Sequence, residues 1–294
     1  MKKILFFLTI LTFTNTIAQI PKLKQIKNLK DSKVIIGLSG YEDVDENLVR
    51  MVNKFWDLCP ISEALPMEEA IGKAKDNDNL YAIYLSSYES QSFWKYGLDN
   101  IKYKSLSVQY FIGFSSGSGK AIMISGIPVF NDEFTDESIA HGVNYINQIF
   151  GMMLDNEVNA MKTLGLIKEK GTLLNDRILY MPEWMVDKKL DENEISEIYG
   201  GQFKIVSDFE WSRAILNKKE GVAYSIIIPA AVGGAYVFQH HVCDAETGQV
   251  LGIKYPKPAF SISAGIKSYN LSSANKGFIA KKNLKQYNDI LKGK

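Results

Sequence analysis

Short apolar runs of strand length and apolar stripes of helical spacing follow one another along this chain in an order that occurs twice. Lys33-Val34-Ile35-Ile36-Gly37-Leu38 predicts a strand. Residues 45–58 place Leu48, Val49, Val52, Phe55 and Trp56 on one helical face, with Asp43 and Glu46 spaced as a cap and Pro60 beyond the end. Residues 61–65 predict a second strand. Pro66 suits the first turn of the next helix, where Glu68 and Glu69 lie near the positive end of the dipole. Residues 80–85 predict a third strand. Residues 105–114 and 120–129 alternate as an antiparallel pair around a Gly/Ser turn.

The second half repeats this order. Residues 177–181 predict a strand, and 191–199 a short helix that stops at Gly200-Gly201. A strand follows at 203–206. Ser207 and Glu210 then have capping-box spacing and open a helix through Leu216. Residues 222–228 predict a strand, and 235–244 with 249–255 a hairpin around Ala245-Glu246-Thr247-Gly248. Ala70-Ile71 echoes Ala214-Ile215 at an offset of 144, and 80–85 echoes 222–227 at an offset of 142. Identity between the halves is slight, so a chance likeness of two α+β domains is the competing account.

Residues 134–162 predict a long connecting helix with Ile139, Val143, Ile146, Phe150 and Met153 as its stripe. A glycine-punctuated linker follows at 163–176. Residues 272–292 predict a final amphipathic helix with Phe278, Ile279, Leu284, Tyr287 and Leu291 inward. The expected fold is therefore α+β, with two tandem β-α-β-α-β-β-β domains. The first, with the connecting helix, covers 33–162. The second, with the C-terminal helix, covers 177–294. At the level of element order, 33–130 and 177–255 resemble the amino-terminal domain of TolB and the CsgG-like envelope α/β domains. That resemblance implies a module of envelope assembly and protein interaction rather than an enzyme; no β-propeller pattern follows, as one would in TolB.

The start of the chain adds an address. Lys2 and Lys3 precede an apolar run from residue 4 to 13, and Thr16 and Ala18 supply small residues at a cleavage point. This is the pattern of a secretory signal peptide over residues 1–18, and its apolar run is shorter than the roughly 20 residues of a membrane anchor. Cleavage leaves Gln19 where a lipoprotein needs Cys, so the expectation is a periplasmic or secreted protein without a lipid anchor or stable membrane insertion. Residues 19–32 form a basic arm, with lysines at 22, 24, 27 and 30 and a fifth, Lys33, just after it. It is read as docked or free on the protein, or as lying on an anionic surface. Without Lys2 and Lys3 the chain has 32 Lys+Arg against 33 Asp+Glu, a formal charge of −1. That balance gives no field to draw in nucleic acid.

Candidate chemistry is sparse. Residues 113–121 carry Gly117-Ser118-Gly119-Lys120. Phe114 and Ala121 stand where a phosphate loop needs Gly and Ser/Thr, and the stretch lies between two strands, so a hairpin turn is the better reading. Glu42-Asp43-Val44-Asp45-Glu46 reads as an acidic loop leading into a helix, without calcium-loop spacing. His240-His241-Val242-Cys243 is the one cluster of soft ligands. On a strand His241 and Cys243 share a face and are the candidate metal ligands, with His240 opposite. Cys59 and Cys243 either form one long-range disulfide or are two buried thiols. No G-x-S-x-G elbow is present, and no catalytic residue or cofactor is assigned.

The segment from 88 to 104 carries Tyr88, Phe93, Trp94, Tyr96 and Tyr103 among polar residues, where the second half has only 229–234. Large aromatics in a segment extra to the repeat are the candidate protein or ligand contact, against the alternative that they cover the sheet. The expected function is an exported, non-enzymatic envelope protein acting as a protein-interaction module, whose partner is another envelope or secreted protein. The alternatives are a periplasmic hydrolase on glycan or peptide without a local motif, and a small-ligand carrier using an interdomain groove.

Overall fold

A computed structural model describes residues 21–89, 108–115, 121–128, 134–232, 235–254, 259–263, 266–270 and 277–294. The fold is α+β and divides into two compact units, in the main at Gly165/Leu166.

The first unit begins with a helical turn, α1 (Leu23–Ile26), and a 3-10 turn at Leu29–Asp31. Ile26 and Leu29 point inward, and the four arm lysines and Lys33 outward, so the arm is docked through its apolar residues. Then follow β1 (Lys33–Leu38), α2 (Glu42–Phe55), β2 (Ile61–Pro66), α3 (Met67–Lys75), β3 (Leu80–Glu89), β4 (Val108–Ser115), β5 (Ala121–Ile127) and α4 (Asp136–Asp155). The sheet order is β2-β1-β3-β4-β5. β1 is parallel to β2 and β3, and β3-β4-β5 is antiparallel. A parallel pair needs a crossover, which α2 and α3 supply.

Both faces of this sheet are covered. Ile35, Ala82 and Tyr84 pack on Ala70 and Ala74 of α3. On the other face the Phe114 ring sits 5.3 Å from Tyr81, 5.9 Å from Trp56 and 4.9 Å, edge-on, from Phe150 of α4. α4 lies close on the hairpin because residue 142 is glycine. A Cβ there would stand 2.6 Å from Ile112 Cγ1 and 2.9 Å from Ile127 Cγ2. Asn147 of α4 donates to the Phe55 carbonyl at 2.6 Å and satisfies an orphan acceptor at the end of α2.

The second unit contains the last turn of α5 (Ala160–Glu169), a 3-10 segment (Lys170–Asp176), β6 (Ile178–Pro182), α6 (Glu192–Ile198), β7 (Phe203–Val206), α7 (Asp208–Leu216), nearly all of β8 (Val222–Val232) and of β9 (Ala235–Asp244), β10 (Val250–Lys254), β11 (Ala259–Ser263), β12 (Ile266–Asn270) and α8 (Lys281–Leu291). Its main sheet reads β7-β6-β8-β9-β10, the order of the first sheet element for element. β6 is again parallel to both neighbours. The sheets even start alike. Val34 N–H donates to Pro60 O and Lys33 N–H to Asn79 O; Leu179 N–H donates to Gln202 O and Ile178 N–H to Gly221 O. These donors match at an offset of 145 and their acceptors at 142.

Several local expectations are replaced. α2 starts at Glu42, so the acidic stretch 42–46 is a first helical turn. Its organiser is Asp45 in place of the Asp43/Glu46 pair. The Asp45 carboxylate accepts from Ser39 N, Ser39 Oγ and Gly40 N at 2.7–2.8 Å, a turn that Gly40 permits with φ +89°. The connecting helix stops at Asp155, and Glu157 has φ +51° before α5 begins. The stretch read as a linker, 163–176, is helical throughout. The Ser207 capping box is half made: Ser207 Oγ accepts from Glu210 N at 3.2 Å, while the Glu210 carboxylate turns to Lys204. The β11-β12 pair has no counterpart among the described residues of the first unit, nor in the sequence expectation.

α8 ends among glycines. A Cβ at Gly171 would meet the Ile290 carbonyl oxygen at 2.5 Å, and one at Gly252 would meet Ile290 Cδ1 at 2.6 Å. Gly165, inside α5, has open space around it. Gly171→Ala is therefore expected to destabilise by about 1–3 kcal/mol through overpacking against backbone, whereas Gly165→Ala stabilises by about 0.5–1 kcal/mol through helix propensity. Thermal melts of the two variants check the opposite signs.

Candidate functional site

Of the five candidate contact aromatics, Tyr88 lies on β3 with its backbone opposite Gln109 of β4. Phe93, Trp94, Tyr96 and Tyr103 lie outside the described residues. β3 runs past the end of β1, which pairs with it only as far as Tyr84, so Tyr88 stands beyond the carboxyl end of the parallel pair. That end of an open α/β sheet is where ligands and partners are usually met. Tyr41, in the turn after β1, is 73% exposed, and Phe209, just after β7, is 69% exposed. Sequence reasoning missed both; each is a large ring immediately after a strand, which was the available signal.

His241 and Cys243 share a face of β9, as strand alternation requires, and both are buried. Cys243 shares a hydrogen bond with Tyr224 of β8, and burial pushes its thiol far up. His241 Nε2 lies 3.4 Å from Gln239 Oε1. Among the described residues no group of three or more His, Cys, Asp or Glu is placed to hold a metal ion. Cys59 and Cys243 are free thiols in different units, and burial pushes Cys59 up to about 11. Residues 116–120, the core of the Gly/Ser/Lys stretch, lie outside the described residues. The strands they join, β4 and β5, are antiparallel.

The opposite face of β9 holds a network that the sequence reading passed over. His240 Nδ1 lies 2.8 Å from the Tyr287 hydroxyl and His240 Nε2 3.3 Å from Asn283 Nδ2. Asn283 Oδ1 accepts from Ala280 N–H at 3.1 Å, which fixes the amide so that its NH2 faces the imidazole. Nε2 is then the acceptor, Nδ1 carries the proton and donates to Tyr287, and the Tyr287 hydroxyl also shares a hydrogen bond with Ser225. Ser225 Oγ in turn donates to Met185 Sδ at 3.6 Å. His240, Tyr287, Asn283 and Ser225 are all buried. Period-two alternation placed His240 opposite His241; what was missed is that α8 covers that face.

The exposed charges near β6 and β7 are committed to one another. Lys219 Nζ donates to Tyr180 Oη at 2.8 Å and stands 4.9 Å from its ring centre. Lys204 Nζ binds Glu210 at 2.7 Å, which holds the lysine up and the carboxyl down from their ordinary ranges. Asp244 is buried and receives Arg177 Nε and Nη2 at 3.3 and 3.2 Å. This pair ties the start of β6 to the β9-β10 turn. It is a structural bond, in keeping with the general need of buried charges for partners.

No protein-family model, no curated protein and no solved structure matches this chain.

His141, on α4, is fully buried, and burial alone pushes its imidazole down to about 3. Above pH 6.5 the ring is neutral both folded and unfolded. Below it the unfolded chain takes up a proton that the folded state refuses, so the first unit loses stability from about pH 6.5 down to about 3. A pH series of chemical denaturation on wild type and His141→Gln is expected to show a shallower acid slope in the variant.

Proposed function

We propose that this chain is an exported, non-enzymatic protein that binds another envelope or secreted protein. The observation that carries this reading is the position of its reactive groups. All three histidines and both cysteines of the chain are buried. A nucleophile or an imidazole base must meet substrate to act. Here burial drives both thiols away from the thiolate and holds His141 neutral, while His240 is committed to a hydrogen-bond chain. Among the described residues the two most exposed large apolar side chains are aromatic, Tyr41 and Phe209. Tyr88 on β3, with Phe93, Trp94, Tyr96 and Tyr103 after it in sequence, supplies the contact in this reading. Aromatic rings dominate the energetics of protein interfaces. The element order, like that of the TolB amino-terminal and CsgG-like envelope domains, and the signal-peptide pattern of residues 1–18 support the same reading.

Trp94→Ala combined with Tyr96→Ala is expected to shift the melting temperature by no more than about 2 °C, as surface changes do. The same variant should lose a partner that the wild type captures from envelope extract. A fall of many degrees would place the rings in the core, and undiminished capture would remove them from the interface. Amino-terminal sequencing of the exported protein is expected to begin at Gln19. An intact Met1 on the protein of the envelope fraction would remove the export step.

A further inference from the structure

We propose that the basic arm, residues 22–33, is a peripheral docking face for an anionic phospholipid surface. The arm displays its charge on a fixed support. Ile26 and Leu29 are fully buried, Ser32 Oγ donates back to the Asn28 carbonyl at 2.6 Å, and Lys30 Nζ pairs with Asp155 of α4. Lys22, Lys24, Lys27 and Lys33 stand exposed around that support. Among the described residues none of these four ammonium groups has an ion-pair partner. Lys27 keeps helical backbone angles, φ −52° and ψ −38°, and lies three residues from Lys24, so the two are neighbours on one side of the turn.

Charge and composition choose the occupant. The rest of the first unit, 34–92 and 105–165, holds 6 Lys+Arg against 17 Asp+Glu. Residues 19–33 hold five lysines and one acid, Asp31. Positive charge in this unit is thus gathered on one short stretch, which selects an anionic surface on that side. With a screening length of about 8 Å, the charges nearest a surface decide the contact. A protein partner fits this stretch poorly. Protein interfaces are anchored by aromatic rings and arginine and are depleted of lysine. Residues 19–33 contain no arginine and no aromatic ring, and Leu23 is half-buried while Ile26 and Leu29 are buried. The contact therefore rests on charge and not on insertion, and equivalent phosphates spread over a plane demand no anchor. In the signal-peptide reading Lys22 is the fourth residue of the mature chain, so the arm is also the stretch beside the bilayer when the precursor is cut. This contact is independent of the protein partner proposed above.

Co-sedimentation of the full mature chain with vesicles of phosphatidylcholine, with and without about one third phosphatidylglycerol, tests this. Binding is expected to the anionic vesicles alone, and to weaken about tenfold or more between about 50 and about 300 mM salt. Lys22→Gln, Lys24→Gln and Lys27→Gln together are expected to weaken it about a hundredfold, at about fivefold for each lysine, with the melting temperature unchanged. Lys188→Gln, Lys189→Gln and Lys285→Gln together make the same change in net charge at exposed lysines of the second unit, and should leave binding as in wild type. Absence of binding to the anionic vesicles would overturn the docking face, as would equal binding to the neutral ones. Equal loss in the two triple variants would overturn it too, by assigning the effect to net charge. Tighter binding to heparin, an anionic glycan without a bilayer, than to vesicles of equal negative charge would overturn the lipid as occupant.

Discussion

Each unit of this protein depends on one helix closing a sheet face that its own crossovers leave half bare. A five-stranded sheet with two crossover helices has one helix on each face. The antiparallel hairpin, β4-β5 or β9-β10, extends the sheet beyond the reach of either crossover. The helix after the last strand must then return and cover the hairpin on the side already shared with the first helix. In the first unit that is α4, packed on β4, β5 and α2; in the second it is α8, packed on β10 and α6. Without it a row of apolar hairpin residues would face water, at about 1.5–3 kcal/mol for each large side chain.

The two units meet this need with different side chains. α4 presents a glycine to the isoleucines of its hairpin, and Phe150 drives into the ring cluster around Phe114. α8 presents Ile290 to Gly252 of its hairpin and seats Asn283 and Tyr287 on His240. The glycine is on the helix in one case and on the strand in the other, but it serves one purpose: the close approach of backbone to a branched side chain. Such exchanges preserve architecture while erasing sequence identity. They explain how two halves can share strand order, pairing sense and even entry hydrogen bonds with little residue likeness.

This is also why the element order was legible in the sequence and the closing contacts were not. Periodicity reads one element at a time. It found β1, β3, β6 and β8 as apolar runs, and Ser207 as a helix cap, because those signals are local. It misplaced the start of α2, since the carboxylate that organises the turn is Asp45, reaching back to Ser39 and Gly40 from inside the helix. It extended α4 through the break at Glu157, whose positive φ is a tertiary constraint on a residue with no turn propensity. It placed His241 and Cys243 on one face correctly. It gave no weight to His240, because the partners that make that ring informative lie 43 and 47 residues away on α8.

The likeness of architecture sharpens the difference in what the units show to solvent. Matched frames make any unmatched segment a choice rather than a requirement of folding. In sequence the aromatic segment 88–104 runs on from the far end of β3, whereas only two residues separate β8 from β9. Between its last sheet strand and its closing helix the second unit carries the β11-β12 pair and the bridge of Ile279 to Val186; in the first unit only residues 128–135 separate β5 from α4. Among the described residues both sheets have the same five-strand order, with these segments outside it. Sequence that the fold does not require, in a chain whose histidines and cysteines are all inside, is where a binding function has room to reside.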